Sequence, residues 1–128
     1  MDLAKRMNLP CVRVANIRRF QAQPDEIPIY VGRGTPLGNP YRIQGCVSRK
    51  VAITKYKTWL QKHVISNNSP QHVMFAQLVE LARQYPLVLL CWCYPQPCHA
   101  EIIKYGILSN FDKHVPDDYR CLDLRGIP

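Results

Sequence analysis

The chain has 128 residues, of which 47% are hydrophobic and 20% are charged. This length predicts one domain with a single core. No segment is long and apolar enough to span a bilayer, and the N-terminus lacks the apolar run of a signal peptide, so we expect neither a membrane protein nor a secreted one.

The net charge of +8 is unevenly distributed along the chain. Residues 1–62 hold 12 lysine and arginine residues against three acidic ones, whereas residues 63–128 hold five against six. This asymmetry predicts that a polyanion or a phosphorylated small molecule binds near the N-terminal elements. A solvated basic face that only keeps the protein soluble explains the same charges equally well.

Six cysteines lie at positions 11, 46, 91, 93, 98 and 121. They would suit a disulfide scaffold in a secreted chain, but the sequence also has enough Leu, Val and Ile for an ordinary core. Cys91 and Cys93 are two residues apart on a predicted strand, which is a poor geometry for a disulfide between them. A reducing, cytoplasmic location is therefore the favoured prediction.

The first predicted elements are two short strands and a loop. Residues 1–10 form a basic arm, and Val12–Ile17 form a strand whose polar residues favour an edge position. Ile27–Val31 form a second strand. Gly32–Pro40 contains too much glycine and proline to be anything but a loop.

Two helices follow. Ser48 is the predicted cap of a helix that extends to about Val64, and Ser69 with Pro70 begins another that extends through Gln84. Apolar spacing assigns a buried stripe to each helix. In the first helix the stripe is Ala52, Tyr56, Trp59, Leu60 and His63; in the second it is Val73, Met74, Gln77, Leu78, Leu81 and Ala82. Trp59 and Trp92 are both predicted to be core residues.

The apolar run Leu87–Leu90 predicts a buried strand that continues to Cys91. After the prolines, Cys98–Leu108 predicts a helix that Gly106 helps to end. Residues 109–128 are interpreted as a short polar tail. The whole therefore reads as a single α/β domain over residues 11–108, with helices packed on a small, mostly parallel sheet.

The predicted topology brings two motifs together. If Ile27–Val31 and Leu87–Cys91 are parallel neighbours, the two helices between them form the crossover, and both strands end at the same edge of the sheet. The Gly32–Pro40 loop then lies beside the Cys91–Glu101 turn. Ligands bind at such edges in open α/β folds, so this edge is the predicted pocket.

The loop offers groups that suit an anionic ligand. Gly32, Gly34 and Gly38 allow backbone amides to close on an anion, Arg33 can make a bidentate contact with phosphate, and Asn39 can bond to a sugar or base. The spacing matches neither the Walker motif nor the dinucleotide-binding motif. A sharp turn with tight backbone packing is the structural alternative.

The cysteine-rich turn has three interpretations. In the first, Cys98 at a helix N-terminus is a nucleophile, with His99 or Glu101 as the proton carrier. In the second, Cys91, Cys93, Cys98 and His99 hold zinc, although the C-x-C spacing and the adjacent Cys–His pair are unusual for zinc sites. In the third, Cys91 and Cys93 are simply small buried hydrophobic residues.

Residues 29–40, Ile-Tyr-Val-Gly-Arg-Gly-Thr-Pro-Leu-Gly-Asn-Pro, and residues 91–101, Cys-Trp-Cys-Tyr-Pro-Gln-Pro-Cys-His-Ala-Glu, together resemble the domain of unknown function 4326 of bacteria, phages and large viruses. The resemblance covers about residues 11–108. The motif positions that it carries over are Gly32, Arg33, Gly38, Asn39, Pro40, Cys91, Trp92, Cys93, Cys98, His99 and Glu101. Glu101 stands where many relatives have aspartate. The resemblance implies that the two motifs form one site, and it implies no substrate.

The functional hypothesis is a small cytoplasmic protein that binds a nucleotide or phosphorylated nucleoside between the two motifs. Arg33 and the loop amides hold the anion, and Cys98, His99 and Glu101 face the reacting end. Hydrolysis or group transfer on that ligand is the expected chemistry if the protein is an enzyme. The alternatives are a zinc-containing module that grips DNA or RNA through its basic half, and a phage or host accessory protein without chemistry.

Overall fold

The computed structural model describes residues 10–41, 48–66, 68–92 and 98–111. These residues form three strands and three helices. In chain order they are β1 (Val12–Asn16), β2 (Ile27–Tyr30), α1 (Arg49–Val64), α2 (Pro70–Gln84), β3 (Leu87–Cys91) and α3 (His99–Leu108).

The three strands form one parallel sheet in the order β1-β3-β2. The register pairs Asn16 with Cys91 and Tyr30 with Leu90, so all three strands end at the same edge. The α/β class, the edge position of β1 and the parallel pairing of β2 with β3 are confirmed. Helices α1 and α2 form the crossover between β2 and β3, because parallel neighbours need a connection that returns the chain to the starting edge.

The central strand β3 is buried along its whole length. Leu87, Leu89 and Cys91 face a core that the three helices complete, whereas Val88 and Leu90 belong to a smaller cluster on the other face. A parallel strand that is covered on both faces needs an unbroken apolar run, which is why its sequence does not alternate. Among the described residues, the helices all pack on the first of these faces.

Side chains cap the two crossover helices as predicted. The Ser48 hydroxyl accepts a hydrogen bond from the Val51 amide at 3.2 Å, and the Ser69 hydroxyl accepts one from His72 at 2.9 Å. Pro70 occupies the first turn of α2, where its missing N–H costs nothing. His72 also donates through Nδ1 to the Val64 carbonyl at the end of α1, which ties the two helices together.

The predicted buried face of α2 is wrong in part. Val73 and Gln77 are exposed, whereas Phe75 and Val79 are buried beside Leu78. The helix is rotated by about one position from the predicted stripe, because this orientation buries Phe75, its largest apolar side chain. In α1 the stripe is correct for Ala52, Tyr56 and Leu60, but Trp59 and His63 are only half-buried and Val64 completes the buried face.

The last helix ends at Leu108 as predicted, with Cys98 as its N-cap. Gly106 contributes to this end, since its carbonyl accepts hydrogen bonds from the Ser109 hydroxyl at 2.7 Å and from the Asn110 side-chain amide at 2.8 Å. Ser109 and Asn110 are therefore buried, although they begin the predicted tail. The arm at 1–9 and the rest of the tail lie outside the described residues, so the domain boundaries stay predictions. None of the described helices has the length and apolar character needed to cross a membrane.

Candidate functional site

A cavity of about 440 Å³ opens where the carboxyl ends of β2 and β3 meet the starts of α1 and α3. Five of the predicted site residues line it: Gly32, Arg33, Asn39, Cys98 and His99. Its other walls come from residues outside the predicted site: Tyr30, Tyr41, Arg49, Ala52, Ile53 and Trp92. The two motifs therefore do share one edge of the sheet, and the size is that of an ordinary small-molecule pocket.

Cys98 and His99 form a hydrogen-bonded pair at the buried side of the cavity. Cys98 is the N-cap of α3, and its Sγ accepts a hydrogen bond from the Ala100 amide at 3.5 Å. The same Sγ lies 3.5 Å from His99 Nδ1, while His99 Nε2 lies 2.7 Å from the Val31 carbonyl. Because a carbonyl only accepts, the ring must carry its proton on Nε2 when it is neutral. Nδ1 then presents a lone pair to the Cys98 thiol.

The surroundings of His99 favour the neutral ring. Burial is the largest influence and lowers the pKa of His99; the hydrogen bond to Val31 opposes this, and the nearby Arg33 charge adds to the lowering. The Tyr56 ring packs edge-on against the imidazole, with centroids 5.2 Å apart. Burial also raises the pKa of Tyr56, whose hydroxyl donates to the Leu37 carbonyl at 2.7 Å. The pair thus consists of a thiol and a base fixed in one orientation.

The glycine loop is held in shape by its own hydrogen bonds. The Thr35 amide donates to the Gly32 carbonyl and the Gly38 amide donates to the Thr35 carbonyl. Gly34 has a φ of +96°, which favours glycine, and a Cβ on Gly38 would lie 2.5 Å from the Gly32 carbonyl oxygen. The Thr35 and Gly38 amides are therefore engaged in turns. At these two amides the loop therefore has the geometry of the alternative interpretation, a sharp turn with tight backbone packing.

Gly34 and Gly38 line a neighbouring depression of about 340 Å³ rather than the cavity itself. Arg33 and Asn39 line both. The Asn39 side chain accepts from the Tyr41 amide at 2.8 Å and donates to the Ala52 carbonyl of α1, so it joins the loop to the helix. These contacts use one donor and one acceptor position of the side chain, and the predicted bond to a sugar or base stays a prediction.

Two aromatic side chains connect the loop to the end of β3. The Trp92 indole N–H donates to the Tyr30 hydroxyl, which donates to the Arg33 carbonyl, both at 3.2 Å. Gly32 makes room for this arrangement, since a Cβ there would lie 2.4 Å from the Tyr30 hydroxyl oxygen. The guanidinium of Arg18 lies 4.9 Å from the centroid of the Trp92 ring. Trp92 is 54% exposed, so its prediction as a core residue is wrong.

Glu101 does not line the cavity, although its amide donates to the Cys98 carbonyl in the first turn of α3. A carboxylate in the first helical turn is favourable at the positive end of the helix dipole. Of the two predicted proton carriers, His99 is the one in contact with the thiol. The catalytic assignment of Glu101 stays a prediction.

The zinc interpretation has a different outcome for each ligand. Cys91 is buried in the hydrophobic core, Cys98 and His99 are paired with each other, and Cys93 lies outside the described residues. In the part of the chain that the structure describes, no three His, Cys, Asp or Glu side chains come together as metal ligands. Zinc binding through a set that includes Cys93 stays a prediction, which native mass spectrometry of chelator-free protein tests.

Tyr30, Tyr41, Arg49 and Trp92 line the cavity but were not among the predicted ligand-binding residues. Trp92 belongs to the second motif and was assigned to the core because tryptophan is usually buried. Arg49 is the first residue of α1, and only the closure of the loop onto that helix brings it to the cavity. No periodic pattern in the sequence predicts that the loop packs on the helix in this way.

Comparison with known proteins gives one family and no characterised relative. The model of the family described as Domain of unknown function (DUF4326) matches residues 15–109, which is most of the chain. No curated protein and no solved structure matches the sequence. The match spans both motifs and every described element except the first part of β1.

Proposed function

The chain belongs to the DUF4326 family, and we propose that it binds a nucleotide or phosphorylated nucleoside in the cavity and performs hydrolysis or group transfer on it through Cys98. One observation carries the proposal. A single cavity combines two guanidinium groups, three aromatic side chains and a thiol that is hydrogen-bonded to an imidazole. These are the groups needed to hold a phosphate, to pack against a base and to attack an electrophilic atom.

The anionic end of the ligand is assigned to the two arginines. Arg33 comes from the loop and Arg49 is the first residue of α1, and both line the cavity. Guanidinium groups present paired N–H donors that match two phosphate oxygens, and they stay charged at any physiological pH. Among the described residues, no carboxylate lines the cavity.

The aromatic side chains suit the base. Tyr30 and Trp92 form one hydrogen-bonded wall and Tyr41 contributes to the rest. Stacking on such rings tolerates any base, because every base has a π face. We therefore expect the phosphate, rather than the identity of the base, to dominate affinity.

The chemistry proceeds from the thiol–imidazole pair. His99 Nδ1 takes the Cys98 proton, and the sulfur attacks the electrophilic carbon or phosphorus of the bound ligand. The bond from that atom to the leaving group breaks with its electron pair, and the imidazolium returns its proton to the leaving group. Water, or an acceptor hydroxyl, then displaces the sulfur and restores the thiol. No electrons are gained or lost in the cycle.

Ligand binding assists the first of these steps. The positive charge of Arg33 lowers the pKa of His99 in the empty cavity. A phosphate that pairs with Arg33 cancels that charge, so the imidazole becomes a stronger base when the ligand is present. The arrangement therefore links proton transfer from Cys98 to occupation of the anion site.

Calorimetric titration with a matched panel tests the proposal. The panel contains the four ribonucleoside 5′-monophosphates, the corresponding nucleosides and inorganic phosphate. We expect the monophosphates to bind at least about tenfold more tightly than either part alone. Arg33→Ala should weaken their binding by about tenfold to a hundredfold, since it removes a charge-assisted contact.

Arg83→Ala is the matched control, because Arg83 is an exposed arginine at the C-terminal end of α2 and does not line the cavity. Its affinity for the monophosphates should equal that of the unaltered protein. Failure of every monophosphate to bind, or equal affinity for Arg33→Ala and Arg83→Ala, would refute the proposal.

A further inference from the structure

Helix α1 has a strongly basic composition that the cavity does not explain. It carries five lysine and arginine residues and no acidic residue. Arg49 lines the cavity, but Lys55 and Lys62 lie further along the helix on a separate surface. A helix used only for solubility would be expected to carry both signs of charge.

This second surface is a depression of about 590 Å³ beside the cavity. Aromatic and cationic side chains together line it: Tyr41, Lys55, Trp59, Lys62 and His63, with Thr54 and Thr58. Tyr41 also lines the cavity, so it forms the shared wall. We call the depression the α1 groove.

The rings of the α1 groove are arranged as a stacking surface. Trp59 and His63 are one helical turn apart, with centroids 4.6 Å from each other and planes inclined by 34°. The Lys55 ammonium lies 5.9 Å from the centroid of the Tyr41 ring. Trp59 is half-buried, which fixes the ring against the helix while leaving part of it accessible. The Tyr41 ring thus has a positive charge close by.

We propose that the α1 groove binds single-stranded nucleic acid and that one nucleotide of the strand occupies the cavity. The inference rests on the proposed function of the cavity and names its substrate class as a nucleotide within a polynucleotide. A surface that combines cations with aromatic rings matches a strand whose phosphates are negative and whose bases are unpaired. A duplex would keep its bases stacked on each other and leave Trp59 without a partner.

The length of the helix sets the expected size of the strand. From Arg49 to Lys62 the helix rises about 20 Å, which accommodates at most about six stacked nucleotides at about 3.4 Å each. Affinity should therefore rise with oligonucleotide length up to about six residues. Beyond that length it should rise only through the larger number of overlapping sites.

Fluorescence anisotropy with 3′-labelled oligothymidylate and oligouridylate of two to ten residues tests the proposal. We expect the eight-residue strand to bind at least about tenfold more tightly than the mononucleotide. If Arg33, Arg49, Lys55 and Lys62 each neutralise a phosphate, the slope of log affinity against log salt is about −3.

Two sets of variants separate the groove from the cavity. Lys55→Ala with Lys62→Ala should remove most of the gain with length and reduce the steepness of the salt slope by about 1.4, while leaving mononucleotide binding unchanged. Arg83→Ala with Lys104→Ala removes the same charge elsewhere and should change neither. Trp59→Leu should weaken binding of the eight-residue strand about tenfold, and Trp59→Phe should restore most of it.

The outcomes distinguish this proposal from that of the preceding section. If mononucleotides bind and require Arg33, but the eight-residue strand binds no more tightly, the groove proposal is wrong and the cavity proposal stands. If the strand binds but Arg33→Ala has no effect on its affinity, the strand does not extend from the groove into the cavity, and the proposal is wrong. Equal competition by poly-glutamate would show a general polyanion surface and would also overturn the proposal, as would tighter binding of a duplex of the same length.

Discussion

Two side-chain pairs among the described residues each contain a buried titratable group, and they differ in what surrounds them. Arg13, in edge strand β1, makes two hydrogen bonds with the carboxylate of Glu26, the residue before β2, at 2.6 and 2.8 Å. Cys98 and His99 make a single contact of 3.5 Å at the cavity. In each pair the buried group has a lowered pKa, but the causes are opposite in kind. Arg13 stabilises the charged form of Glu26, whereas burial destabilises the charged form of His99.

The difference lies in whether the pair borders the cavity and is therefore open to a ligand. Glu26 also accepts from the Gln23 amide, and Arg13 also donates to the Gln21 carbonyl, so that pair is a closed network. His99 uses one nitrogen on the Val31 carbonyl and leaves the other to a thiol that faces the cavity. A closed network contributes to stability, while an open one retains a proton that can move. We therefore expect substitutions in the two pairs to affect different properties.

The largest effect expected is the loss of turnover on Cys98→Ser. Serine is a good N-cap, so the substitution keeps the start of α3 and replaces only the nucleophile. Turnover of the nucleotide identified by calorimetry should fall at least about a thousandfold, as is usual when a nucleophile is removed. The free energy of unfolding, measured in urea, should change by less than about 1 kcal/mol.

Ligand affinity is the control for Cys98→Ser. Nucleotide binding should remain within a few-fold of the unaltered value, because Arg33 and the aromatic walls are untouched. A variant that unfolds, or that turns over at the original rate, would remove Cys98 from the proposed chemistry.

Glu26→Gln is expected to lower stability without affecting nucleotide binding. The substitution removes the charge that Arg13 binds in a largely buried position, and it should lower the free energy of unfolding by about 2 kcal/mol at pH 7. Because the pKa of Glu26 is lowered from 4.5, its contribution is fully present above that pH and is lost as the pH falls through the lowered value. Urea unfolding at pH 7 and pH 3 measures both effects.

Glu80→Gln provides the matched control for Glu26→Gln. Glu80 pairs with Arg83 at 3.3 Å on the surface of α2, where both side chains are more than half exposed. Exposed pairs contribute little, so the change should stay below about 0.5 kcal/mol. Equal effects at Glu26 and Glu80, or loss of nucleotide binding in Glu26→Gln, would end the contrast between the two pairs.

The position of the Cys98–His99 pair could be predicted from the sequence, whereas the Arg13–Glu26 contact could not. Cys98 and His99 are adjacent, follow a buried strand and begin a helix, so local patterns alone place them at the carboxyl edge of the sheet. Arg13 lies in β1, whereas Glu26 follows 13 residues later, just before β2 begins. No spacing rule predicts that contact, because it depends on the path of the chain between β1 and β2.

The elements of the fold could be predicted from the sequence where a single local effect, either burial or helix capping, determines the structure. The run at Leu87–Leu90 and the caps at Ser48 and Ser69 predict their elements because burial and capping have local signatures. The orientation of α2 did not follow, since Phe75 and Val73 compete for the same core and only tertiary packing decides between them. The cavity was placed correctly from topology, but the aromatic and arginine residues that complete it depend on how the loop closes.

The smallest expected effect concerns the pH dependence of stability and decides the protonation state of His99. A lowered pKa means that the unfolded chain binds a proton at a pH where the folded protein does not. The contribution of His99 is then fully present above about pH 6.5 and is lost as the pH falls below it.

Comparing Cys98→Ser with Cys98→Ser/His99→Gln isolates this contribution, because no thiol lies beside the ring and His63 and His72 are common to both proteins. Glutamine can still donate to the Val31 carbonyl, so the hydrogen bond that fixes the ring has a substitute. The difference in unfolding free energy between the two proteins should shift in favour of the glutamine variant between pH 7.5 and pH 5. A shift in favour of histidine would mean that the folded protein holds the imidazolium, and His99 would then be an acid rather than the base that the proposed first step requires.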